Sequence, residues 1–159
     1  MKRFFIFVGV MLFASASVAS DKDLREFIWT NKASFHKSSS KTISPVIDSL
    51  LELNSGGTEQ FLLRWLNKEL WFRKSDGLVV TAKKLEKKSY KIFDVIDEQL
   101  IEVIDKKKIK QIKPNSGVRA IISSALVQFQ LLNADPSIRS KTLDSIARKP
   151  DERFRVPLR

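Results

Sequence analysis

A single histidine and no cysteine leave this chain of 159 residues little with which to run nucleophilic or metal chemistry. Thiolate sites and His-Cys zinc sites are excluded by composition. His36 lies in Asn31 to Thr42, a polar run rich in Ser and Lys, and makes a poor base or ligand there. Gly56-Gly57 has neither the lysine nor the preceding strand of a phosphate loop, so it reads as a turn. Two carboxylate pairs, Asp94 with Asp97 and Glu102 with Asp105, fall on turns and strand ends. Paired-acid catalysis needs carboxyls facing each other across a cleft, which linear spacing does not supply. The expectation is a protein that is not an enzyme, with no catalytic, cofactor-binding or metal-binding residues.

The aromatic residues carry more. Alternation along Leu70-Trp71-Phe72-Arg73 places Trp71 and Arg73 on one face of a strand and Leu70 and Phe72 on the other. If helices cover a single face of the sheet, Trp71, Arg73 and Phe93 form an exposed aromatic-basic patch. Trp and Arg dominate interface energetics when desolvated. These three residues are therefore the first candidates for an interaction surface. The lysines at 106, 107 and 108 offer charge for an anion site but read as a solvated turn.

The elements that must position these residues centre on Glu69 to Pro114. Leu70 to Lys74 is β-prone, Ser75-Asp76-Gly77 turns, and Leu78 to Ala82 returns. Asp-Gly between two such runs marks a hairpin, because glycine accepts the positive φ of a tight turn. Further runs follow at Tyr90 to Phe93, Leu100 to Ile104 and Ile109 to Ile112, until Pro114 closes the series. On either side the apolar period is helical. Leu24, Phe27 and Ile28 define a short helix over Asp21 to Thr30. Ser44-Pro45 opens a second helix and Thr58 caps a third, separated by Asn54-Ser55-Gly56-Gly57. Asn115 or Ser116 caps a long helix with the stripe Val118, Ile121, Ile122, Ala125, Leu126, Phe129 and Leu132. Asp135-Pro136 starts a last one, with Ile138, Thr142, Ile146 and Ala147 facing inward. The fold class expected is α+β: an antiparallel β-meander over about residues 70–112, packed with helical hairpins on either side in sequence.

Met1 to Ala19 has the pattern of a secretory signal peptide: Lys2 and Arg3, then the apolar run Phe4 to Ala14, then small residues. Cleavage is expected after Ala19 and a periplasmic address follows; an uncleaved inner-membrane anchor is the other reading. Residues 20–42 are expected to hold the first helix and a polar linker, 43–150 a single α+β domain, and 151–159 a loose tail. Formal net charge is +11, or +9 without Lys2 and Arg3. Such a balance favours anionic partners, namely headgroups or an acidic protein face. Export argues against nucleic acid.

The run Leu66-Asn67-Lys68-Glu69-Leu70-Trp71-Phe72-Arg73-Lys74-Ser75-Asp76-Gly77-Leu78-Val79-Val80 resembles the soluble N-terminal periplasmic extension of urea-type ABC transporter permeases, which are related to branched-chain amino-acid permeases. Asp135-Pro136-Ser137-Ile138-Arg139 is similar to the start of a HEAT-type repeat helix. The resemblance spans roughly Ser49 to Ile146. It implies a module that binds a membrane subunit or solute receptor of an uptake system. Where family members read Asn-Asn-Arg-x-Arg, this chain has Asn115-Ser116-Gly117-Val118-Arg119, and the retained Arg119 joins the candidate surface. The membrane helices that follow in the family are lacking here, so the chain is not expected to form a solute pathway by itself.

Overall fold

Gly77 has a φ of +78° at the turn where Asp-Gly predicts a hairpin. The turn is closed by Gly77 N–H donating to the Arg73 carbonyl at 2.8 Å and Arg73 N–H donating to that of Leu78 at 2.9 Å. It joins β1 (Leu70–Arg73) to β2 (Val79–Lys84), and β3 (Ser89–Asp94) and β4 (Leu100–Asp105) continue the meander. The computed structural model describes the backbone of residues 16–148 and side chains from residue 21. Most of the expected signal segment and the tail at 151–159 lie outside the described residues.

The architecture is α+β, as expected, with six helices and five antiparallel strands among the described residues. Before the sheet come α1 (Ala16–Thr30), α2 (Lys32–His36), α3 (Ser44–Glu52) and α4 (Thr58–Leu66); after it come α5 (Ser116–Leu131) and α6 (Pro136–Arg148). One departure concerns the last strand. After β4 a 3-10 turn, Lys106–Lys108, swings β5 (Ile109–Gln111) back to pair with β1, giving the order β4-β3-β2-β1-β5. The sheet thus curls, and Arg73 on β1 reaches Glu102 on β4 across its concave side.

The two faces have separate cores. Leu70, Phe72, Val79 and Ile112 point to the helices and join one cluster with Phe35, Trp65 and Ile122. The concave side encloses a smaller cluster of Val80, Ile92, Ile104 and Ile109, against which Trp71 and Tyr90 pack. Each fully buried aliphatic or aromatic side chain stabilises the fold by about 1.5–3 kcal/mol.

The stretch expected as a linker is structured. It contains α2, whose Phe35 is 0% exposed and meets Trp65 and Phe61 edge-on, with ring centroids 5.3 and 5.4 Å apart. Leu24 and Ile28 of α1 lie in the same cluster, so residues 21–42 share the core of the region expected to begin at 43. The caps agree in part. Asn115 Oδ1 accepts from Val118 N–H and Asp135 Oδ1 from Ser137 N–H, whereas Ser44 and Thr58 are first residues of their helices and make no side-chain cap. In α6, Thr142 and Ile146 are buried but Ile138 and Ala147 are not. Leu132, the last residue of the expected stripe, ends α5 in an exposed position.

Candidate functional site

The expected aromatic-basic patch does not assemble. Strand register puts Trp71 opposite Val80, and Val80 opposite Asp94, so these three share a face. Phe93 lies opposite Thr81, which lies opposite Leu70, and therefore sits on the other face. Trp71 and Phe93 do both border a hollow of about 520 Å³ with Arg64 and Glu98, but they do not form one platform. Arg73 is not a free cation either. Its Nε and Nη2 donate to the two oxygens of Asp76 at 3.0 and 2.6 Å, and its Nη1 pairs with Glu102. These bonds raise the Arg73 pKa and hold the Asp76 carboxyl down at about 2. Arg119 is exposed on α5, on an element away from the other three.

The carboxylate pairs singled out in the sequence hold the fold. Arg25 of α1 pairs with Asp94 and, at 2.6 Å, with Asp97. Buried Arg64 of α4 donates to the Val95 carbonyl at 2.6 Å and pairs with Glu98. Two helices thereby clamp the β3–β4 turn. Glu102 is engaged by Arg73, and Asp105 accepts from Lys107 N–H at 2.7 Å to start the 3-10 turn. Among the described residues, no group of three or more His, Cys, Asp or Glu side chains is placed to hold a metal ion.

What the fold does assemble is a different aromatic-basic site. Trp71 and Tyr90, neighbours on the concave face with ring centroids 5.4 Å apart, border a hollow of about 750 Å³. Lys37, Lys106, Lys110 and Lys113 also line it. Lys106 N–H donates to the Lys88 carbonyl at 2.8 Å, which ties the 3-10 turn to the β2–β3 loop. The exposed Lys87 and Lys88 of that loop, with exposed Lys84 at the end of β2, therefore stand beside the exposed lysines 106, 107 and 108. Among the described residues every ion pair uses an arginine and none uses a lysine. The positive end of the sheet is thus uncompensated by direct pairing.

His36 forms part of the wall of this hollow. Its ring stacks on Phe72 at 3.9 Å and its Nε2 is buried without a hydrogen-bond partner. Burial lowers its pKa, the Gly77 backbone opposes that, and Lys32 adds to the lowering. Sequence reasoning missed Tyr90, Lys37, Lys110 and Lys113, and read Lys106 as part of a solvated turn. The signal for Tyr90 was available in the β3 alternation, but its meeting with Trp71 depends on the curl.

No family model, curated protein or solved structure matches the chain. No helix among the described residues is long and apolar enough to cross a membrane.

Proposed function

We propose that this chain is a non-enzymatic binding module that engages an anionic partner of the cell envelope through the lysine-bearing end of its sheet. One observation carries the reading: the two lysine-rich segments that flank the β3–β4 hairpin are held side by side, unpaired, next to the Trp71–Tyr90 hollow. Clustered lysines near an anionic surface contribute about 1 kcal/mol each, and their attraction is screened by salt. The signal-peptide pattern of Met1 to Ala19 supports an envelope address.

A second reading, a module serving a solute-uptake system, is supported by the order of elements. The helical hairpin, Asp-Gly sheet and Asp-Pro helix follow one another as the resemblance to urea-type permease extensions implies. Vesicle co-sedimentation separates the two. Binding to anionic phospholipid vesicles, absent with neutral ones and lost at high salt, is the expected result. Lys106→Glu, Lys107→Glu and Lys108→Glu together should weaken it by about tenfold or more. A salt-resistant stoichiometric complex with a transport protein, and no vesicle binding, would favour the second reading.

A further inference from the structure

The outer face of β3 and β4 carries large apolar side chains in the open. The sheet curls far enough for Arg73 of β1 to pair with Glu102 of β4, so this face turns away from the helices that cover Leu70, Phe72 and Val79. Register sets its residues in two rows across the strands: Thr81, Phe93 and Leu100, then Lys83, Lys91 and Val103. Alternation puts Leu85, one residue beyond β2, on the side of Thr81 and Lys83, and its N–H donates to the Ser89 carbonyl at 2.9 Å. Leu85, Leu100 and Val103 are 50%, 55% and 52% exposed. Lys83 Nζ lies 5.3 Å from the centre of the Phe93 ring, along the same face.

Little negative charge shares this face. Asp94 and Glu102 fall on the other one, opposite Val80 and Ile92. Asp105 is the carboxylate that the three strands place here, and it accepts from Lys107 N–H. In the adjoining loop Glu86 is outnumbered by Lys87 and Lys88, and lysines 106 to 108 stand at the same end. Exposed aliphatic groups among lysines complement an anionic bilayer. The aliphatic side chains gain by leaving water for the boundary between headgroups and acyl chains, while the lysines keep their ammonium groups at the phosphates. A bilayer also needs no matching shape, which suits side chains that stand on an edge strand and a loop. A second copy is disfavoured, because packing face to face would set Lys83 and Lys91 of each against those of the other, between molecules of formal charge +11.

We infer that this face enters the interfacial layer of an anionic phospholipid bilayer, with Leu85, Leu100 and Val103 beneath the headgroup phosphates and Lys83 and Lys91 among them. The inference rests on the anionic envelope partner proposed above and adds an apolar contact that lysines alone do not supply. Because the chain has no cysteine, Val103→Cys carrying a polarity-sensitive fluorophore reports on this face alone. Leu132→Cys, at the exposed end of α5, is the control. With vesicles of mixed phosphatidylcholine and phosphatidylglycerol, emission from position 103 should move to the blue while that from 132 stays. Leu100→Thr with Val103→Thr keeps charge and strand propensity, and should weaken co-sedimentation of the full chain by about tenfold, with the melting temperature near that of the parent. Vesicles that bind the parent without a shift at 103, or that bind the threonine variant as tightly, would overturn the inference and leave the lysine end of the sheet as the sole contact. A parent that binds no vesicles would remove both. A blue shift at 103 with soluble polyglutamate and none with vesicles would assign the face to an acidic protein and overturn the inference as well. So would a vesicle-free dimer in sedimentation equilibrium that the threonine variant dissolves.

Discussion

At the scale of the residue, His36 shows how a side chain without chemical partners still shapes the molecule. Stacked on Phe72 and placed 3.1 Å from where a Cβ on Gly77 would fall, it wedges α2 against the hairpin turn. Its pKa is lowered in the folded state, chiefly because burial penalises the charged ring. The unfolded chain therefore takes up the proton first. The stability that neutral His36 contributes is fully present above its ordinary value of 6.5 and is lost as pH falls from there through the folded-state pKa. Thermal melts between about pH 7 and 5 should show a decline in the parent that His36→Gln flattens. An identical decline in both would show that His36 is not the titrating group.

At the scale of the element, α2 is the informative case. Its five residues sit in a run so rich in Ser and Lys that composition reads as linker. A helix this short leaves too few turns for a hydrophobic period to declare itself. Phe35 nevertheless supplies the ring that meets both Phe61 and Trp65. Phe35→Ala should cost about 3–5 kcal/mol in chemical denaturation, the range for emptying a packed aromatic site. A loss below about 1 kcal/mol would return the segment to linker status. The long helix α5 was legible because it is long: Asn115 caps it, and four residues of its stripe, Val118, Ile122, Ala125 and Leu126, are buried. The meander was legible because Asp76-Gly77 and the alternation of β1 act within a few residues of each other. The aromatic-basic patch was not, because it paired Trp71 with Phe93 across strands whose register no local signal specifies.

At the scale of the whole molecule, helices that precede and follow the sheet in sequence share one core. Leu24, Phe35, Trp65, Leu70 and Val118 belong to a single cluster spanning α1 to α5. Unfolding is therefore expected as one transition, with tryptophan fluorescence, which reports buried Trp65, and far-ultraviolet dichroism falling together. Two separated transitions would mean that the N-terminal helices form a unit of their own. The clamp of Arg25 and Arg64 on the β3–β4 turn couples the same helices to the far end of the sheet, which argues for the single transition.

By itself the sequence determined the α+β class, the hairpin at Gly77, the caps of α5 and α6, and a composition with little to offer catalysis. These follow from short-range rules: side-chain period, turn geometry and the inventory of reactive groups. Only the tertiary structure decided which residues meet. The return of β5 to β1 curls the sheet, and that curl half-buries Trp71 against Tyr90. It also draws Arg73 away to Glu102, while the pairing of β3 with β4 sets the lysines of their flanking segments side by side. Such meetings depend on strand order and curvature, which arise from the packing of the whole chain and leave no mark on any one stretch of it.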